Sequence, residues 1–114
     1  MIVGIVSGGF DPIHSGHIDY IMEAARYCDK LYIGPNSDAW LRRKKGRAFM
    51  TWEERSYIIE HLNVSIPTEV VSYNDDDNSA TGLIHKVDSL HKNCEIVFMN
   101  GGDRNATNIP EEGI

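Results

Sequence analysis

Four short apolar runs alternate with stretches of helical periodicity, and that alternation narrows the possible folds more than any other feature of the chain. The runs occupy residues 2–7, 30–34, 69–73 and 95–99. The first, IVGIVS, is rich in β-branched residues and is followed by Gly8 and Gly9, as expected of a buried strand ending in a tight turn. Ile18, Ile21, Met22 and Ala25 then recur at helical spacing, and Ser15 is placed to cap a helix over about residues 16–28. Residues 35–50 read as a polar, basic, irregular segment with a short helical piece near 37–43. Thr51 followed three residues later by Glu54 fits a capping box, and Ile58, Ile59 and Leu62 carry that helix to about Asn63. Ser79 opens another, which runs to about His91 with Leu83, Val87 and Leu90 on one face. The order β-α-β-α-β-α-β predicts an α/β, Rossmann-like fold of three layers, a parallel sheet with helices on both faces. A length of 114 residues suits a single domain over 1–114, and no repeat or linker divides it.

In such sheets ligands bind beyond the carboxyl ends of the strands. The loops at that edge are residues 8–17, 36–47 and 101–104, which also carry most of the reactive side chains. The formal net charge of −6 argues against a nucleic-acid surface, which needs a basic face. Within this acidic chain Arg42, Arg43, Lys44, Lys45 and Arg47 form one basic cluster. It suits a small anionic ligand, although a solvated basic loop explains it equally well. Cys28 and Cys94 lack the CxxC spacing of a zinc or redox motif and read as reduced thiols. No leader-like or membrane-spanning stretch is visible, so a cytoplasmic protein without a membrane partner is expected.

Residues 7–17, SGGFDPIHSGH, carry the most chemistry. Gly8 and Gly9 let the backbone approach a ligand closely. His14 and His17 flank Gly16 where the first helix begins, beside a helix N-terminus that favours anions. Two imidazoles there are suited to donate to phosphate oxygens. A metal site or chance would also account for the pair alone. Gly8-Gly9 is not a GxGxxG, so a dinucleotide-dependent dehydrogenase has little support.

This segment resembles the HxGH signature of the cytidylyltransferase-like nucleotidyltransferases. Other segments agree in order: Asn36-Ser37-Asp38 after the second strand, the basic stretch, Glu54-Arg55 at the head of a helix, and Gly101-Gly102-Asp103 after the fourth strand. Within that superfamily residues 36–38, 45–46, 70–73 and 100–103 are most similar to the adenylyltransferase domain of ADP-heptose synthases. Glycerol-3-phosphate cytidylyltransferase is a near neighbour, and the wording around His14 is also similar to nicotinamide-mononucleotide and phosphopantetheine adenylyltransferases.

The resemblance implies transfer of a nucleotidyl group from ATP or CTP to a phosphorylated sugar, polyol or cofactor, with release of pyrophosphate. It implies that His14 and His17 hold the triphosphate, together with Lys44 or Lys45. Gly8, Gly9, Phe10, Gly16, Gly102, Asp103 and Arg104 are then nucleotide contacts, and Asp11, Asp38 and Arg55 face the acceptor or its phosphate. No ligand-spaced carboxylate set appears, so no protein metal site is expected and Mg²⁺ is held mainly by the triphosphate.

The remaining features read more plainly. His61, His85 and His91 lie in predicted helices as surface or packing residues, and Trp40 and Trp52 as packing residues. The acidic run 75–77 reads as a solvated loop. The family's late R-x-x-G-I-S-T-T segment has no counterpart before Ile114, which suggests a C-terminally truncated domain and an open sheet edge. A homodimer is expected on the same ground. The contrasting expectation is a non-catalytic nucleotide-binding or assembly module on the same fold. An aminoacyl-tRNA synthetase fragment, which shares an HxGH-type signature, is disfavoured by the short, acidic chain and the lack of a KMSKS-like run.

Overall fold

The computed structural model describes residues 1–99. Its elements are β1 (Ile2–Gly8), α1 (Ser15–Ala24) extended by a 3₁₀ turn (Ala25–Tyr27), β2 (Lys30–Pro35), α2 (Asp38–Lys45), α3 (Trp52–Glu60), β3 (Thr68–Val70), α4 (Thr81–Leu90) and β4 (Glu95–Met99). The strands form one parallel sheet in the order β3-β2-β1-β4.

The two faces of the sheet are separated by the period-2 alternation of side chains. Val3 and Ile5 of β1, with Tyr32 of β2 and Phe98 of β4, pack on Leu83 and Val87 of α4. Val6, Leu31 and Ile33 point to the opposite face and pack on Ile21 of α1 and Ile59 of α3. Both faces are therefore covered, and three layers result as the alternation predicts. The chain steps outward from β1 to β2 to β3 and then crosses back to place β4 on the other flank of β1. The switch in direction lies between β1 and β4, where doubly wound sheets open a crevice.

Some boundaries meet the sequence expectations and others depart from them. α1 passes at Ala24 into the 3₁₀ turn, so helical backbone runs to Tyr27, next to the expected end near Cys28, and Asp29 is fastened to the first strand. Its carboxylate accepts from the Ile2 amide at 2.7 Å, and its own amide donates to the Ile2 carbonyl at 2.7 Å. α2 is more regular than expected. Ser37 caps its start by accepting from the Trp40 amide at 3.0 Å. Its last turn carries Arg42, Arg43, Lys44 and Lys45, which favour a helix C-terminus. It ends at Gly46, whose φ of 88° lies in the left-handed region that glycine enters without strain.

α3 is capped by Thr51 as predicted, its hydroxyl accepting from the Glu54 amide at 3.1 Å, and ends at Glu60 rather than Asn63. β3 is only three residues long. The N-cap of α4 is Ala80 rather than Ser79, although the Ser79 hydroxyl accepts from the amide of Thr81, the first helical residue, at 3.2 Å and donates to Asp77. Leu90 is 59% exposed, whereas the next residue, His91, turns in to bond Tyr32 Oη at 2.6 Å. Cys28 and Cys94 are both free thiols, as expected.

Leu83 is completely buried against the strands on the α4 face. Leu83→Ala is expected to lower unfolding free energy by about 2–5 kcal/mol. Chemical denaturation measures this, and a loss below about 1 kcal/mol would contradict the packing described.

Candidate active site

The loop leaving β1 delivers the two histidines as a reciprocal helix cap. His14, not Ser15 as expected, is the N-cap of α1, and its Nδ1 accepts from the Gly16 amide at 3.0 Å. The His14 amide in turn donates to Nδ1 of His17 at 3.1 Å. With Nδ1 accepting, the neutral form of each ring carries its proton on Nε2. No described residue engages either Nε2, so the pair offers two N–H donors. The ring centroids lie 4.0 Å apart. Gly16 is needed because a Cβ there would sit 2.8 Å from His14 Cε1. The same glycine thus supplies the amide that orients His14 and the space its ring occupies. Phe10, buried with φ 52°, meets His17 edge-on at 5.2 Å and fixes its other side.

Burial first, then the charges on His14 and Lys45, hold the His17 pKa below the ordinary value. The neutral ring required by the cap is thereby favoured.

Asp11 was expected to face the acceptor, but it turns inward. Its side chain is fully buried, and its two oxygens accept from the amides of Phe49 and Met50 at 2.7 and 2.6 Å. Lys45 Nζ lies 3.4 Å from Oδ2 and donates to the Asp11 carbonyl at 2.6 Å. Burial alone would raise the Asp11 pKa, but the two amides and Lys45 outweigh it and hold the carboxyl below 3.8.

Arg55 was expected to reach phosphate, and here too the geometry differs. It is 0% exposed. Its Nε donates to the Met50 carbonyl at 3.0 Å, and its Nη1 to the carbonyls of Gly9 at 2.8 Å and Asn36 at 2.7 Å. Nη2 pairs with Asp38 Oδ1 at 2.7 Å. Four of the five N–H donors of the guanidinium are thus engaged inside the protein. The same bond ties Asp38 to Arg55, and the Asp38 side chain stays partly exposed.

The structure also separates the two lysines. Lys44 lies over the Trp40 ring, 5.6 Å from its centroid. Lys45 turns towards Asp11 and the Phe49 ring, and its charge acts on His17. Of the two lysines, Lys45 is the one held at Asp11 in the loop that carries the histidine pair. Gly8 and Gly9 contribute carbonyls to the network, to the Asn36 amide at 2.8 Å and to Arg55. Gly102, Asp103 and Arg104 lie outside the described residues.

The sequence reading overlooked Asp75. It is 2% exposed and accepts from the Ser37 amide and hydroxyl at 2.8 and 2.6 Å. Its neighbours Asp76 and Asp77 are exposed as expected, so nothing local marks it out. Trp52 is a packing residue as expected, its indole donating to the Pro35 carbonyl at 3.1 Å. Among the described residues no group of three or more His, Cys, Asp or Glu is arranged to hold a metal ion, and no helix is long and apolar enough to cross a membrane.

Comparison with known proteins bears on the family and the fold. A family profile described as cytidylyltransferase-like matches residues 5–107. The bifunctional protein HldE of Blochmanniella floridana is 35% identical over 107 residues, covering 92% of this chain and 20% of its own length. The protein of the same name from Syntrophotalea carbinolica is 34% identical over 103 residues, covering 89% of this chain and 19% of its own. The chain thus spans about a fifth of the length of these relatives. A lipopolysaccharide core biosynthesis protein from Thermoplasma volcanium shares the fold with a TM-score of 0.62 at 21% identity, over 90% of this chain and 99% of that one.

Removing Arg55 strands three carbonyls and Asp38. Arg55→Met is expected to cost on the order of 3–5 kcal/mol in urea unfolding. Arg55→Lys should recover only part, since one ammonium lacks the fork needed to span four acceptors. Equal stability of the Met and wild-type chains would contradict the assignment.

Asp11 has a lowered folded-state pKa, so its contribution is complete above 3.8 and is lost as pH falls through the folded value. Asp11→Asn should therefore flatten the acid limb of unfolding free energy against pH, and an unchanged limb would rule this linkage out.

Proposed function

The chain belongs to the cytidylyltransferase-like family, and from that premise we propose that it transfers a nucleotidyl group from ATP or CTP to a phosphorylated small molecule with release of pyrophosphate. The observation that carries this reading is the cap-fixed histidine pair. Both imidazoles have Nδ1 engaged by backbone amides and Nε2–H available, beside Lys45. Such a set stabilises phosphate charge without offering a nucleophile of its own, as direct nucleotidyl transfer requires.

In the proposed reaction an oxygen of the acceptor phosphate attacks the α-phosphorus. The bond from that phosphorus to the β-phosphate bridging oxygen breaks, and pyrophosphate carries away the electron pair. His14 and His17 donate to the phosphate oxygens on which charge accumulates, and Lys45 adds a cation on the same side. Mg²⁺ would be held mainly by the triphosphate and would screen its charge. The nucleotide lies at the β1/β4 switch, which leaves the β2 side for the acceptor. The likeness of residues 36–38 and 70–73 to ADP-heptose synthases makes ATP with a sugar phosphate the first pair to test.

Pyrophosphate release with Mg²⁺ should depend on one particular pair of nucleotide and phosphorylated acceptor. His17→Ala should reduce it by at least about 100-fold, whereas His61→Ala, at the far end of α3, should leave it unchanged. Release that survives His17→Ala would overturn the proposed role of the imidazole. Nucleotide binding with no release from any pair would instead support a non-catalytic nucleotide-binding module.

A further inference from the structure

The loop after β3 grips α2 at both ends. At the start of the helix, the Asp75 carboxylate accepts from the amide and hydroxyl of Ser37, the α2 N-cap, and from Nδ2 of Asn36 at 3.4 Å. The Ser37 hydroxyl donates to Asp75 and accepts from the Trp40 amide, so the carboxylate also fixes the orientation of the cap. Near the other end, Arg43 donates through Nη2 to the Asp75 carbonyl at 2.9 Å and through Nε and Nη2 to Asn78 Oδ1 at 3.1 and 3.0 Å. Asn78 holds φ 63° and donates its amide to the Asp75 carbonyl at 2.9 Å, which closes the loop into a compact turn. α2 makes a single helical piece of eight residues, and Lys45 is its last. Lys45 is also the residue whose ammonium meets Asp11 and whose charge acts on His17.

We propose that Asp75 is a positioning residue of the site: together with Asn78 and Arg43 it clamps α2 in place and thereby holds Lys45 against Asp11, on the side of the histidine pair. Burying a carboxylate that serves only a solvated surface turn would be costly. Here the buried group orders a helix that delivers a cation. The clamp also accounts for Arg43, which is withdrawn from the basic cluster as an anion ligand. The significance of Lys45 for a phosphate ligand rests on the function proposed above, but its placement does not.

The placement is read from the His17 titration, followed by NMR of the ring protons in the protein without substrate. Lys45 and His14 are the charges that act on His17. Lys45→Met should therefore raise its midpoint. Arg43→Met, at an exposed position whose loss leaves the buried carboxylate paired, should raise it in the same sense and by no more than Lys45→Met does. Asp75→Asn should do likewise. In the double variant Arg43→Met/Lys45→Met the shift should equal that of Lys45→Met alone, because the clamp acts through that lysine. An unmoved midpoint in both clamp variants would overturn the proposal. So would shifts that add in the double variant, or a Lys45→Met midpoint equal to wild type. A protein that released no pyrophosphate would still report this coupling, so failure of the proposed function and failure of the clamp are read separately.

Discussion

Loops that leave the carboxyl ends of parallel strands expose backbone carbonyls that the ladder no longer satisfies, and a buried carbonyl without a donor is costly. Arg55 supplies those donors for three loops at once. Its guanidinium joins Gly9 after β1, Asn36 after β2 and Met50 before α3, and its charge is balanced by Asp38 at the start of α2. A planar group with donors on three edges suits this arrangement, because its acceptors approach from different directions. The histidine loop, the Asn-Ser-Asp turn and the 46–51 segment are therefore held in one fixed relation at the sheet edge.

On that frame, the local chemistry of the histidine pair is decided by backbone amides. Gly16 and His14 donate to the two Nδ1 atoms. The bonds that start the helix are thus the same bonds that set the tautomers. Phosphate-binding capacity and helix initiation are linked, and neither ring can change its protonation at Nδ1 without loosening the cap. Phe10 and the missing side chain at Gly16 provide the shape within which this is possible.

Charge at the site is arranged by a second buried carboxylate system. Asp11 draws Lys45 and the 49–50 amides inward from one direction. Asp75 fastens the same helix from the other. The basic cluster is consequently divided among tasks. Arg43 anchors, Lys44 lies on Trp40, Arg47 lies over Phe49, and Lys45 meets Asp11.

Periodicity alone determined the layered α/β architecture, because alternating buried runs and amphipathic helices have few other ways to cover both faces of a sheet. The local spacing of His14, Gly16 and His17 likewise placed paired imidazoles at the helix start, although the cap is His14 and not Ser15 as expected. The ends of α3 and β3 were less legible, since α3 stops at Glu60 and β3 spans only Thr68–Val70. The same holds for the inward turn of Asp11, the burial of Arg55 and the hidden role of Asp75. A charged residue beside a motif reads as a ligand contact in one dimension. Only the tertiary structure decides whether its partner is a substrate or the protein itself, because three of the four Arg55 partners lie 17 to 46 residues away and the Asp75–Ser37 pair is 38 apart.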